Sequence, residues 1–527
     1  MFFTSYEFLG FVTILLLLYY VIPQRFQWML LLAFSAFFYY AADPTYLLYI
    51  GTTIVTVWFA ACKMSEHPDK VPAHLELSRE EKKAYKKEQK KIRGRWMWCC
   101  LLLNVGILVA AKYLDFIIDN IFAVLSITGV ERTQGNAFLS LALPLGISFY
   151  TFQALSYLID VYRGTIKAEK NLFKVALFIS FFPQLIQGPI SRFGDLSKTL
   201  YSGHSFNGKN VSYGLQRVLW GYFKKMVVAD RILTAVTTII GDLDEYHGAY
   251  AFVGMVFYTL QLYADFTGGI DITIGIAESL GIVVQENFNL PYFSRSLKEY
   301  WRRWHMSMCN WFRDYIFYPI SSGKAIRNLS KFSRKHFGDY VGKRLPVHAC
   351  SFVVWFTTGI WHGASWNFIV WGLANWAVLM VSQELEPVYQ KFHNRFHLED
   401  KFFYKLFQVA RTFLLVCCLN MFDCYVSVGD TLSALGSMFV ADNWNILWNG
   451  ELLNLGLTML DYGILVMGVL VMTGVSLLQR KGKVRDKIAA KPYAARFAIW
   501  FGLFLVVLLM GAYGVGYDSS QFIYNRF

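Results

Sequence analysis

Ile499-Trp-Phe-Gly-Leu-Phe-Leu-Val-Val-Leu-Leu-Met-Gly-Ala-Tyr513 runs without a single charge. It lies inside a longer, predominantly apolar segment of roughly 20 residues, the length that crosses about 30 Å of hydrocarbon. Phe11 to Val21, Trp28 to Tyr40 and Trp98 to Ala111 repeat the pattern. A chain that is 55% hydrophobic and only 16% charged, with a mean hydropathy of +0.37, is not a soluble protein of 527 residues. The expected fold is therefore an all-α polytopic membrane protein. About 12 transmembrane helices (roughly 10–14) are expected, several of them broken or re-entrant around a central reaction tunnel. No small-residue cleavage site follows the first span, which reads as retained rather than as a signal peptide.

Charge gives the orientation, because cytoplasmic loops carry the excess Lys and Arg. The net charge is +14, and Lys63 to Arg95 alone holds 11 basic and 6 acidic residues. Ser78-Arg-Glu-Glu81 within it reads as a capping box opening a charged helix through Lys91. That helix suits a solvated face, an anionic-lipid contact or a docking surface for a carrier protein. Three spans before the Lys63 to Arg95 loop put the N-terminus on the extracytoplasmic side, and Arg480 to Arg496, a second basic loop, puts the C-terminal tail there too. The segments expected are 1–62 (N-terminal transmembrane helices), 63–95 (basic cytosolic loop and helix) and 96–385 (catalytic core). After them come 386–496 (additional helices and basic loop) and 497–527 (last span and tail).

Cys62, Cys99, Cys100, Cys309, Cys350, Cys417, Cys418 and Cys424 lie mostly in or beside apolar spans, without disulfide or metal-ligand spacing. There is no His-Glu-x-x-His, Gly-x-x-x-x-Gly-Lys or Gly-x-Ser-x-Gly, so metal, nucleotide and secreted-hydrolase chemistry lose their support. No metal, no tightly bound cofactor and no nucleic-acid partner is expected. His393 and His397 fall on one helix face and read as polar interfacial residues.

Pro144-Leu-Gly-Ile-Ser-Phe-Tyr150, Pro183 to Pro189 and Asp265-Phe-Thr-Gly-Gly-Ile-Asp271 place helix breakers and polar groups in apolar surroundings. Irregular backbone at membrane depth is tolerated where it is buried in protein or lines a cavity, and a lipid-facing carboxylate is untenable. Each feature alone has a structural reading, with Asp265 merely paired to an Arg, but their clustering from residue 144 to 366 favours a reaction chamber.

Two histidines sit in that region: His305 in Tyr300-Trp-Arg-Arg-Trp-His305 and His362 in Gly359-Ile-Trp-His-Gly-Ala-Ser-Trp366. An imidazole in an aromatic, partly dehydrated site can take the proton from a hydroxyl as it attacks an acyl carbon. His362 suits this role: it stands beside Trp361, the Gly-Ala-Ser after it leaves room for a substrate, and Ser365 or Asn367 would hold its second nitrogen. His305 suits substrate positioning or a structural hydrogen bond. Beside it, Trp301, Arg302 and Arg303 suit phosphate binding or interfacial anchoring.

These motifs also carry a resemblance. Leu143-Pro-Leu-Gly-Ile-Ser-Phe-Tyr-Thr-Phe-Gln153, Gly188-Pro-Ile-Ser-Arg192, Glu286-Asn-Phe-Asn-Leu-Pro-Tyr292, Trp311-Phe-Arg-Asp-Tyr315 and the two histidine motifs follow one another in one order. The chain resembles a bacterial membrane-bound O-acyltransferase of the alginate O-acetyltransferase type over nearly its whole length. The resemblance implies His362 as the catalytic histidine and His305 as the second motif histidine. Ser321-Ser-Gly and Thr267-Gly-Gly depart from the usual pattern without touching either.

By composition the final Phe522-Ile-Tyr-Asn-Arg-Phe527 is an aromatic belt. By resemblance it is a C-terminal hexapeptide whose tyrosine carries the acyl group, which maps onto Tyr524. The implied partner is an extracytoplasmic SGNH-type hydrolase-fold acyltransferase. The implied donor is an acyl thioester, either acetyl-coenzyme A or the phosphopantetheine of a cytosolic acyl carrier protein, reaching the chain near Lys63 to Arg95 and Lys324 to Arg344. D-alanyl transfer to teichoic acid, direct acylation of a lipid or protein acceptor, and a transporter stand as alternatives. A transporter would show internal repeats, and none is visible.

Overall fold

The computed structural model describes residues 3–68, 78–126 and 144–513, and helix is the only regular secondary structure among them. Five helices are long and apolar enough to cross a membrane: Tyr46–Ser65, Arg79–Lys112, Phe402–Asp423, Met459–Gln479 and Tyr493–Met510. Trp366–Glu384 and Glu386–Phe396, bent by 51° at their junction, add a sixth if they form one broken span.

The expected count of about 12 spans is thus not reached among the described residues, for a physical reason. Apolar composition extends over segments that fold as pieces too short to span, such as the 9-residue Leu172–Ser180 and the 6-residue Phe182–Gln187. Tyr6–Val21 and Val428–Val440 are apolar but only 16 and 13 residues long. The 31-residue helix Ala249–Ser279 carries Asp265, Asp271 and Glu278.

The capping box forms: the Glu81 amide donates to Ser78 Oγ at 3.3 Å and the Ser78 amide to Glu81 Oε2 at 2.8 Å. The helix it opens continues past Lys91 to Lys112, so the expected charged helix and the following span are one element of 34 residues. That element runs through the segment boundary drawn at residue 95.

The chain divides into two compact units, 5–211 with 277–285, and 212–276 with 286 onward. In the first, Tyr46–Ser65 packs against Arg79–Lys112, Ile147–Arg163 and Leu172–Ser180. The Pro144 and Pro183 segments close this packing. Gly146, at φ 67°, caps the helix Ile147–Arg163, and a Cβ there would lie 2.2 Å from the Leu185 carbonyl oxygen. Gln184 Nε2 donates to the Pro189 carbonyl at 3.1 Å and to Ser191 Oγ at 2.6 Å. These breakers therefore serve backbone satisfaction and close contact within this unit.

In the second unit the helices Gly208–Tyr222 and Ala249–Ser279 meet backbone to backbone. A Cβ on Gly221 would stand 2.7 Å from the Gly268 carbonyl, and one on Gly268 would stand 3.0 Å from that of Gly221. Small residues bring membrane helices this close. Asp265 to Asp271, read from sequence as broken backbone, is continuous helix, and its glycines serve this contact. Its carboxylates are paired: Asp271 with Arg217 at 2.9 Å and Lys224 at 2.6 Å, and Asp265 with Lys225 at 2.7 Å. Lys225 also meets Asp230 at 2.7 Å. Both lysines project from a π-helical turn, Phe223–Ala229, whose extra residue turns consecutive side chains toward separate carboxylate groups. Both carboxylates are thus ion-paired, Asp265 to a lysine rather than to the arginine expected.

Candidate active site

Two helices of the second unit, Lys324–His362 and Trp366–Glu384, form a hairpin whose close approach rests on glycine. A Cβ on Gly359 would lie 2.5 Å from the Phe368 carbonyl oxygen, and one on Gly372 would lie 2.5 Å from that of Trp355. The contact holds His362, the last residue of its helix, against the Trp371 indole with ring centroids 4.5 Å apart. Trp361 lies at 5.0 Å and Phe368 at 6.2 Å from the same imidazole. The room that Gly363 leaves is taken by the Phe368 ring, 2.3 Å from where its Cβ would be, rather than by open space for a substrate.

His305 also packs against Trp361, with ring centroids 6.1 Å apart, and edge-on against Phe266 at 4.9 Å. It is 1% exposed and sits in the left-handed region, φ 43° and ψ 52°, capping the helix Met306–Phe312. That conformation is strained for a residue with a Cβ and marks a position that its surroundings over-determine. Glu286 to Leu290 supplies the determination: the Met306 amide donates to the Asn287 carbonyl and the Asn289 amide to the Arg303 carbonyl, each at 2.9 Å. Asn287 Oδ1 accepts the Ser307 amide at 2.9 Å and lies 3.3 Å from His305 Nδ1. An oxygen at that place is an acceptor, so Nδ1 carries the proton and the lone pair falls on Nε2.

The structure thus brings His305, His362 and Trp361 together. Trp301 joins the wall through Trp371 at 5.7 Å, and its Nε1 donates to Asn375 Oδ1 at 3.1 Å. Asn367 does not hold His362; its Nδ2 donates to the Tyr425 carbonyl and fixes the hairpin to the segment after Asp423. Ser365 is the residue before the helix Trp366–Glu384. Arg303 pairs with Glu299 at 2.5 Å, and Arg302 is exposed. Tyr524 lies outside the described residues. His393, expected at an interface, meets Tyr404 Oη and Glu399 Oε1 at 2.8 Å each.

Two participants escaped sequence reasoning. Trp371, whose buried Nε1 has no hydrogen-bond partner among the described residues, is one of 16 tryptophans and nothing in its neighbours singles it out. Asn287 carried a signal, as an amide in an apolar and aromatic run that was quoted only for resemblance. Chemically, the arrangement offers two imidazoles packed against one indole in a wall of aromatic rings. It suits proton transfer to and from a hydroxyl or thiol at an acyl centre.

Residues 165–333 match the model of the membrane-bound O-acyltransferase family, a segment that includes His305 and ends before His362. A protein of Pseudomonas syringae pv. tomato named "Probable alginate O-acetylase AlgI" is 32% identical over 69% of this chain and 62% of its own length. One of the same name from Azotobacter vinelandii is 31% identical over 71% of this chain and 67% of its own. The peptidoglycan O-acetyltransferase of Helicobacter pylori is 29% identical over 68% of this chain and 65% of its own.

Proposed function

The chain belongs to the membrane-bound O-acyltransferase family, and on that footing we propose that it passes an acyl group, acetyl first of all, across the membrane. The group would move from a cytosolic acyl thioester to hydroxyls of a cell-surface or exported polysaccharide. The observation that carries this reading is the pair of imidazoles, His305 and His362, that both pack against the Trp361 indole in an aromatic wall.

In the proposed step the Tyr524 phenol, with an ordinary pKa near 10, is made nucleophilic by losing its proton to His362. The phenolate oxygen attacks the thioester carbonyl carbon, the carbon–sulfur bond breaks, and the thiolate leaves with the proton returned by the imidazolium. The products are a tyrosyl ester and a free thiol. His305, held by Asn287, positions the acyl group; Trp361 and Trp301 wall the site. Arg302 and Arg303 lie toward the donor phosphates, and Ser365 lies at the substrate side of His362. The ester is then passed to a serine of an extracytoplasmic SGNH-type hydrolase-fold partner. Coenzyme A or an acyl carrier protein supplies the donor.

The start of the tail supports this reading. The Ala512 amide donates to the Met226 carbonyl at 2.9 Å, and Arg231 reaches the Met510 carbonyl at 2.6 Å. Met226 adjoins Lys225, which pairs with Asp265 beside Phe266, the ring against His305. Between Tyr513 and Tyr524 the chain can extend about 36–40 Å, enough to fold back to the site. The protein would then be a multi-pass protein of the bacterial cytoplasmic membrane with both termini extracytoplasmic. Replacing His362 by Ala should abolish surface O-acylation while the protein still accumulates in the membrane. Undiminished acylation in that variant would remove the reading, and a D-alanyl in place of an acetyl ester would change the acyl group.

A further inference from the structure

The second unit holds a cleft that the transfer chemistry does not use. Val469, Met472, Thr473, Ser476 and Gln479 form one stripe of the helix Met459–Gln479 and border two cavities that share Tyr263, Leu290, Met472 and Ser476. One, of about 90 Å³, lies against Arg217, Lys224, Asp271 and Glu286, whose charges are matched in ion pairs. The other, of about 210 Å³, is walled by Val228, Leu260, Tyr292, Phe293, Phe413 and the Val469 stripe. Polar lining therefore lies toward Gln479 and apolar lining toward Val469. Ten residues of helix separate these ends, about 15 Å at 1.5 Å per residue, which is half the hydrocarbon thickness of a bilayer.

Away from that stripe on the same helix, Met467, Leu470 and Val471 are exposed in the manner of a lipid-facing surface. At the lip of the apolar cavity the Arg480 guanidinium stands 6.0 Å over the Phe293 ring. Lys481, Lys483 and Arg485 follow it in the chain. The larger, mainly apolar cavity forfeits dispersion contacts if empty.

We infer that an anionic phospholipid occupies this cleft, its phosphate at Arg480 and one acyl chain between the helix Met459–Gln479 and the core. The site spans a single leaflet, the one on the side of the basic loop, and is independent of the acyl-transfer reading. The lipid completes the packing of a helix that otherwise touches the core only in part.

Native mass spectrometry of the full chain, delipidated in mild detergent and titrated with phosphatidylglycerol, tests the inference. One lipid per chain should be held at least ten-fold more tightly than any further lipid. Met472→Trp and Val469→Phe, which fill the cavity, should each lose that lipid, with thermal melts confirming that at least one of them is folded. Arg480→Gln should weaken retention, while Lys491→Gln, basic but away from the lip, should leave it unchanged. Retention in both folded cavity-filling variants, equal weakening by Lys491→Gln, or displacement of the lipid by acetyl-coenzyme A would overturn the site.

Discussion

At His305 the backbone takes a left-handed conformation that few residues with a Cβ adopt, and Asn287 meets the imidazole it presents. Asn287→Ala should lower the turnover number on the order of 10²-fold, the effect of a small misplacement of a reacting group, while the thermal melt moves little. Asn287→Asp, which keeps the acceptor oxygen, should recover part of the loss. If Ala and Asp are equally impaired, the oxygen does not set the orientation of the ring. His362→Ala, by contrast, removes a base and should cost 10²–10⁴-fold; chemical quench of a single turnover distinguishes this from weaker binding. At this scale the sequence was legible where a residue is costly in its surroundings: both histidines stood out because imidazoles are rare among tryptophans at membrane depth. It misled where a polar residue merely adjoined them. Asn367 looks toward His362 in the chain and bonds Tyr425 in space. Gly363 looks like room for a substrate and is filled by Phe368.

Among the elements, the π turn Phe223–Ala229 does the most with the fewest residues, since it aims Lys224 and Lys225 at different carboxylates. Lys225→Met would take the shared cation from Asp230 and Asp265, both buried. Breaking a buried pair by removing one partner destabilises by about 3–5 kcal/mol, so the variant should melt well below the parent in detergent, and adding Asp265→Asn should restore part of the loss. Equal melting temperatures for parent and Lys225→Met would mean that the charges are solvated. Gly268→Val should fail similarly, because its first side-chain atom would meet the Gly221 carbonyl and the backbone of Lys225; accumulation at the parental level would contradict the close helix contact. Composition disclosed that polar and breaking residues lay at membrane depth but not why. The Pro144 and Pro183 segments complete one unit, whereas the Gly268 and Asp265 segment is straight helix in the other. A period of apolar residues cannot tell a lipid-crossing helix from a short buried one, so the number of spans was not legible.

For the whole molecule, the helical, membrane-spanning class of the described residues was legible from composition, though not the number of spans, and the family was legible from a series of motifs in order. What composition could not give is where the tail begins, because that depends on one hydrogen bond, from the Ala512 amide to the Met226 carbonyl. A chain ending at Tyr513 should keep its fold and its melting temperature and lose surface acylation; retained acylation would place the acyl acceptor elsewhere. The most direct measurement is the intact mass of the C-terminal peptide containing Tyr524, isolated at mildly acidic pH from cells without the extracytoplasmic partner. An acetyl ester on Tyr524, absent in His362→Ala, is the expected result. An unmodified Tyr524 in a protein still required for surface acylation would contradict transfer through the tail.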